Sequence, residues 1–339
     1  MDKKGFFWGS GISKRTLFSL ALLVSGFILG LLSTIVAVKI YEDKSWEGSD
    51  YFELRTEGYS EGLTNPLLDC NMAKENIIDN LSPFQSKIEG EIRERVKRGD
   101  VTHVSYYFRE LDNGVWFAIN EREKFTPASL LKVPVMMTLY DQASREPGFL
   151  EKQIPYLKNG DFYQNIPIKK EMVEGQLYSV NELIDQMIVY SDNNALFSLT
   201  KILDQQSLFS LMRKVGIKQA GMVEEELVDV IQYSSFFRIL YNSSYLGRTY
   251  SEKALSLMTQ IDYQEGLPKG LPKDVLISHK FGERNLGDSM QLHDCGIVYV
   301  KKHNYLICVM TRGSDLNKMN QTISHLSAVT YNNVQSQVE

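Results

Sequence analysis

From Thr16 to Val38 the chain carries no charged side chain and consists mainly of Leu, Val, Ile, Phe and Ala. About twenty apolar residues in a helix suffice to cross a bilayer. A run this long without a charge does not suit a helix of a water-soluble domain, which keeps one polar face. Lys3, Lys4, Lys14 and Arg15 precede it. That asymmetry predicts a cytoplasmic N-terminus with the rest of the chain outside. The run exceeds the about 7–15 residues of a signal-peptide core, and no A-x-A cleavage site comes after it. The expected layout is a cytoplasmic N-terminus at 1–15, a transmembrane anchor at 16–40, a linker at 41–80 and a folded domain at 81–339.

The linker mixes Lys44, Glu47, Asp50, Glu53, Arg55, Glu57 and Glu61 with Ser, Gly and Tyr and shows no period, as a spacer would. Cys70 follows Asp69 and lies too far beyond the apolar run to carry a lipid. Apolar residues make up 43% of the chain, enough for a real core, and the net charge of −5 argues against nucleic acid as a partner. No phosphate-binding glycine loop and no Cys/His cluster with metal spacing is present, so neither cofactor nor metal is expected.

Ser82-Pro83 predicts a helix start, and Ile88, Ile92 and Val96 then mark an apolar face. Val104 to Leu111 and Val115 to Ile119 read as a hairpin turning at Asp112-Asn113-Gly114. Residues 144–178 read as loops and short helices. Ser179-Val180-Asn181-Glu182 is a capping box opening a helix that ends near Tyr190, and a further helix runs from about Asn194 to Leu203. Val230 to Tyr241 is another core helix. Val275 to Gly282 is a strand, Asp294 to Val300 and Tyr305 to Thr311 a second hairpin, and Ser314 to about Val334 a closing helix. With the hairpin closed directly after Val300, Cys295 and Cys308 fall on neighbouring strands but not opposite each other. The five histidines are expected to be structural.

The chemistry-bearing residues fall in three places. Ser129 and Lys132 are three apart, so on a helix opening near Ala128 they share a face. A lysine whose charge is disfavoured there can take the serine's proton. Ser198 and Lys201 have the same spacing, so Ser129 is singled out only by two motifs downstream of it. Ser191-Asp192-Asn193 comes about sixty residues later, and His279-Lys280-Phe281-Gly282 about ninety after that. By itself Ser-Asp-Asn is ordinary turn and cap composition, and Lys280 alone reads equally as a strand lysine.

Together and in this order, the three motifs resemble the serine penicillin-recognising enzymes, most closely the class A β-lactamase family, over roughly residues 80–335. The resemblance implies an α/β (α+β) fold: a five-stranded antiparallel sheet flanked by helices, with a mostly helical subdomain. It implies Ser129 as nucleophile, Lys132 as its base, Ser191 and Lys280 as the proton path to the leaving nitrogen, and Asp192 as a buried brace. Asn193 would bind the substrate amide and Gly282 would admit the substrate backbone. The N–H groups of Ser129 and Glu283 would form the oxyanion hole.

The chain departs from that family in three places. The loop before Asp229 is short, and in Glu224-Glu225-Glu226-Leu227-Val228 the glutamate at 224 fits a water-activating base while valine replaces the asparagine of the family's Glu-x-x-Leu-Asn pattern. Phe281 removes a hydroxyl that helps hold the substrate carboxylate. Cys295 stands where an arginine often anchors it, with Arg284 and Arg312 as substitutes. The expected protein is a monomeric, membrane-anchored, extracytoplasmic serine hydrolase. It acts on β-lactams or, alternatively, on D-Ala-D-Ala-type cell-wall peptides as a penicillin-binding DD-peptidase. A catalytically silent wall-binding module is the third reading.

Overall fold

The computed structural model of the protein describes residues 62–65, 78–112, 114–160, 166–217, 228–285, 287, 289–301 and 303–336. The expected anchor and most of the linker lie outside the described residues, as does Glu224. Among the described residues no helix is long and apolar enough to cross a membrane.

The first helix, α1 (Ile78–Lys97), starts a full turn before Ser82-Pro83 and carries Pro83 in its second turn. The ring costs one backbone bond there, which the burial of Phe84, Ile88 and Ile92 offsets. Strands β1 (His103–Glu110) and β2 (Trp116–Ile119) form the expected hairpin. Helix α2 (Lys132–Arg145) is buried along most of its length. In place of short helices, the next stretch forms a small two-stranded sheet, β3 (Gln153–Pro155) with β4 (Leu177–Ser179). Ser179 and Glu182 make a complete capping box at the start of α3 (Val180–Val189). Next come α4 (Asn193–Thr200), α5 (Gln205–Lys214), α6 (Val230–Tyr241) and α7 (Gly247–Met258). Strands β5 (Leu276–Asn285), β6 (Met290–Tyr299) and β7 (Tyr305–Gly313) and helix α8 (Leu316–Gln335) complete the fold.

The main sheet is antiparallel with strand order β2-β1-β7-β6-β5. Helices cover both of its faces, so its strands are buried almost continuously. Alternation sorts the side chains: Tyr305, Ile307 and Val309 join Phe84, Ile88, Ile323 and Leu326 of α1 and α8. Leu306, Cys308 and Met310 join Val133, Met136 and Leu183 on the other face. This leaves β5 at the sheet edge, beside the helical subdomain.

Val298, not Val300, pairs with Tyr305. The turn is therefore two residues longer than expected on the β6 side. Cys295 faces Cys308 in register, and the two are joined by a disulfide.

Candidate active site

Ser129 sits in a 3-10 turn, Ala128–Leu131, and the α-helix begins only at Lys132. In a 3-10 turn residues i and i+3 eclipse each other, so Ser129 and Lys132 still share a face. The late start also puts Pro134 in the first α-turn, where its missing N–H costs nothing. Ala128 has φ of 51°, a left-handed conformation that a non-glycine residue holds only when its surroundings require it. Those surroundings are specific. Thr126 N donates to Gln291 Oε1 at 2.9 Å, Tyr233 Oη donates to Leu130 O at 3.0 Å, and Phe125 pairs through its backbone with Val228. His293 Nε2 donates to Thr126 O at 3.0 Å, and burial pushes this imidazole down to about 4, so it is neutral.

Lys132 is buried, and its Nζ lies 2.7 Å from Ser129 Oγ. It also reaches Asn193 Oδ1 at 2.6 Å, Ser191 O at 2.9 Å and Ser191 Oγ at 3.2 Å. Burial pushes its pKa down to about 7, against the pull of Asp192 and Glu283 toward the charged form. A sizeable fraction is therefore neutral amine near pH 7. A neutral amine at this distance can accept a hydroxyl proton.

Ser191 is buried with φ of 56°. Asp192 holds this strained loop. Its Oδ1 accepts from Asn194 N at 2.7 Å and Ala195 N at 3.1 Å, capping α4, and its Oδ2 accepts from Tyr156 Oη at 2.9 Å and Gln186 Nε2 at 3.1 Å. The buried carboxylate is thus fully hydrogen-bonded, as its burial demands. Asn193 turns its Oδ1 to Lys132, which leaves Nδ2 as the end that can donate to a substrate.

On β5, Lys280 is fully buried and donates to Ser191 Oγ at 3.0 Å and to Phe281 O at 2.9 Å. Burial, and then repulsion from Lys132, hold its pKa well below the ordinary lysine value. Phe281 stacks on Tyr263 with centroids 4.1 Å apart, and Lys280 Nζ lies 4.0 Å from the Phe281 ring centre. A Cβ on Gly282 would stand 2.9 Å from Pro127 O and 3.0 Å from Leu130 N. The lack of a side chain at Gly282 thus lets β5 lie against the turn that carries Ser129, and it brings Glu283 beside that turn. The Glu283 side chain is engaged as well: its Oε1 accepts from Ile166 N at 2.9 Å.

Ser129, Lys132, Ser191, Asn193 and Lys280 therefore converge through direct contacts, and Gly282 and Glu283 adjoin them. Of the two arginines named as substitute anchors, Arg312 is engaged elsewhere, with Glu123 Oε1 at 2.9 Å and Lys124 O at 3.0 Å. Arg284 lies four positions beyond Lys280, opposite Gln291. Val228 is buried, its N and O both bonded to Phe125. No cluster of metal-ligating side chains occurs among the described residues. Sequence reasoning missed Tyr156, Gln186 and Tyr263, and no local signal marks them. It also missed the Glu283 side chain, having weighed only that residue's backbone.

Residues 87–334 match the sequence model of the β-lactamase enzyme family. The chain belongs to that family. Solved structures agree on the fold of this β-lactamase-family protein. An acyl-enzyme complex of a PBP-A mutant with penicillin G is 18% identical, with a TM-score of 0.64 over 76% of this chain and 97% of that one. A β-lactamase from Chitinophaga pinensis is 17% identical, with a TM-score of 0.64 over 73% and 99%. One from Xanthomonas campestris is 17% identical, with a TM-score of 0.61 over 73% and 97%. No curated protein matches the sequence. The fold is thus that of class A β-lactamases and PBP-A, and the family gives the protein a serine β-lactamase-like function, that of a β-lactamase-type hydrolase.

Proposed function

We propose that the protein opens β-lactam amides through an acyl-enzyme on Ser129, with neutral Lys132 as the base. The observation that carries this is the 2.7 Å contact between Lys132 Nζ and Ser129 Oγ at a buried amine held near neutrality. Ser129 Oγ attacks the carbonyl carbon while its proton passes to Lys132. The N–H groups of Ser129 and Glu283 hold the resulting oxyanion. Ser191 hands its hydroxyl proton to the leaving nitrogen as the C–N bond breaks, and Lys132 and Lys280, both bonded to Ser191 Oγ, restore it. Asn193 orients the substrate amide.

A second reading, a penicillin-binding DD-peptidase, is favoured by Val228. This residue stands where the family's Glu-x-x-Leu-Asn pattern has an asparagine, yet it is apolar, buried and tied to Phe125. A water placed only by Glu224 would hydrolyse the ester slowly. The two readings share one test: a time course of labelled penicillin on the protein, read by intact mass, with Ser129→Ala as control. Mass gained at Ser129 and shed within seconds identifies a β-lactamase, and mass kept for many minutes identifies a peptidase. No adduct overturns both and leaves a silent wall-binding module.

We read Thr16–Val38 as an uncleaved membrane anchor that holds the domain outside the cytoplasm. The Cys295–Cys308 disulfide supports an oxidising compartment. Release of the protein from membranes by alkaline carbonate would count against the anchor.

A further inference from the structure

Helices α1 and α8 pack on one face of the main sheet and α2 on the other. On the α1/α8 side lies a cavity of about 660 Å³, walled by the end of α1, by α8 and by the 3-10 turn Leu267–Gly270 with the residues that follow it. A space of this size suits a small ligand. Its walls are fixed in advance. Leu267 N donates to Asp294 Oδ2 at 2.8 Å, and Ser327 Oγ donates to Leu267 O at 2.9 Å. A side chain on Gly270 would collide with Ser324 O. The turn is thus pinned between β6 and α8, and a ligand would not have to order it.

The lining is polar but electrically balanced. From α8 come Gln321, Ser324, His325, Ala328, Tyr331 and Asn332, at i, i+3, i+4, i+7, i+10 and i+11, so they share one face. The small Ser324 and Ala328 lie between the larger Gln321 and Tyr331, which hollows that face along its middle. Each charged group in the lining already has an opposite neighbour. Lys269 pairs with Glu265, His325 Nε2 stands 2.7 Å from Glu91, and Arg95 Nη1 stands 3.5 Å from Asp100, which Arg98 also holds at 3.0 Å. Paired charges leave little net field to draw an ion. What remains is hydrogen-bonding capacity. The exposed amides of Gln321 and Asn332 are unengaged among the described residues. Tyr331 Oη accepts from Gln335 Nε2 at 2.8 Å, which leaves its own proton to donate. At 3.5 Å from Asp100, Arg95 Nη1 is beyond good hydrogen-bond length. Beside these groups, Leu271 and Tyr331 are only half-buried against the core and add apolar surface.

We propose that this cavity binds a neutral oligosaccharide, with a ring face against Tyr331 and Leu271 and hydroxyl groups bonded by Gln321, Asn332 and Arg95. A pyranose ring matches the lining point for point. It has no charge, its hydroxyls both donate and accept, and its faces carry C–H groups. The site does not depend on the chemistry at Ser129, since the two lie on opposite faces of the sheet.

The test is calorimetric titration of the full-length protein, kept free of sugar-based detergent, with N-acetylchitotriose, cellotriose and maltotriose, and with inorganic phosphate as an anionic probe. At least one of the three sugars is expected to bind with a Kd below about 5 mM. Tyr331→Ala should weaken that binding about fivefold or more, and exposed Gln321→Ala serves where Tyr331→Ala does not fold. Ser129→Ala should bind the sugar as the wild type does, and Tyr331→Ala and Gln321→Ala should take up labelled penicillin at the wild-type rate. No sugar binding at that level, phosphate binding without sugar binding, or sugar binding that survives both α8 substitutions overturns the proposal. Failure of penicillin labelling in every form, with sugar binding intact, counts against the acyl-enzyme reading and leaves the saccharide site standing.

Discussion

Ser191 Oγ accepts from Lys280 Nζ at 3.0 Å although the two residues are 89 positions apart in sequence, and Lys132 Nζ stands 3.2 Å from the same oxygen. One hydroxyl thus links two buried amines. Two full positive charges on either side of one atom repel each other, and neither has water to disperse its charge. The site is built to hold fewer protons than two lysines ordinarily carry, and this governs how it responds to pH.

Acylation is expected to rise with pH through about 7 and then level off, because the proposed base is the neutral amine of Lys132, which is pushed down to about 7. Rates of penicillin adduct formation from pH 5 to 9 check this. A rate falling through the same range would remove Lys132 as the base. Lys132→Arg, which cannot deprotonate, is expected to lose roughly a thousandfold in rate.

Stability tracks the same protons. The unfolded chain holds the Lys132 proton up to its ordinary value of 10.5, whereas the folded chain releases it at about 7. Between those values the unfolded state binds more protons, so this lysine makes folding more favourable as pH rises from about 7 toward 10. Urea unfolding of wild type and Lys132→Met across that window is expected to show the steeper pH-dependent gain in the wild type. Parallel curves would mean that the amine titrates normally in the fold.

Asp192→Asn keeps the shape of the side chain but puts an amide –NH2 donor where donors converge. Four donors meet the carboxylate, from Asn194, Ala195, Tyr156 and Gln186, and an amide can accept from one side only. The variant is expected to lose about 2–3 kcal/mol of stability and to acylate more slowly, since Ser191 is held in its left-handed conformation by the same loop. Chemical denaturation and the adduct time course measure the two effects.

Gly282→Ala places a methyl group 2.9 Å from Pro127 O and 3.0 Å from Leu130 N. Both belong to the turn that aims Ser129, so the cost should fall on the reaction more than on the fold. Acylation is expected to slow on the order of tenfold to a hundredfold, with a melting temperature only a few degrees lower. An unchanged rate would show that the turn is not held by β5.

The disulfide closes a hairpin with a sequence separation of 13. Replacing Cys295 and Cys308 by alanine is expected to cost about 2–3 kcal/mol on loop-closure grounds. Alkylation of the denatured, unreduced protein should modify one thiol of the three, that of Cys70. Three modified thiols would mean that the bond is not formed.

Much of this was legible in the residues. The order of Ser129, Ser191 and Lys280 pointed to the fold through its resemblance to the class A β-lactamase family. Short-range patterns such as the Ser179 capping box and the turn at Asp112 marked element ends. What escaped was long-range or a matter of degree. Pairing Cys295 with Cys308 depends on how many residues a turn holds, and two residues moved the partner. The start of α1 depends on core burial outweighing the penalty of Pro83. Tyr156 reaches Asp192 across 36 positions, and no spacing rule links them. The side chain of Glu283 reaches Ile166 over a separation of 117, and no spacing rule links those two either.

Strand order carries a consequence for how the protein is made. β1, near the start of the domain, pairs with β7, near its end, and Thr102 bonds Arg312 across 210 positions. Until Tyr305–Gly313 has been synthesised, the hairpin of β1 and β2 has no third strand, and β6 lacks its inner neighbour. Contacts that span so much chain close slowly. The domain therefore cannot settle piece by piece as it leaves the ribosome, and a chain cut short before Tyr305 holds Ser129, Ser191 and Lys280 without the sheet that brings them together. Completion of the last strand is the step at which a polypeptide with all the right residues first becomes a site.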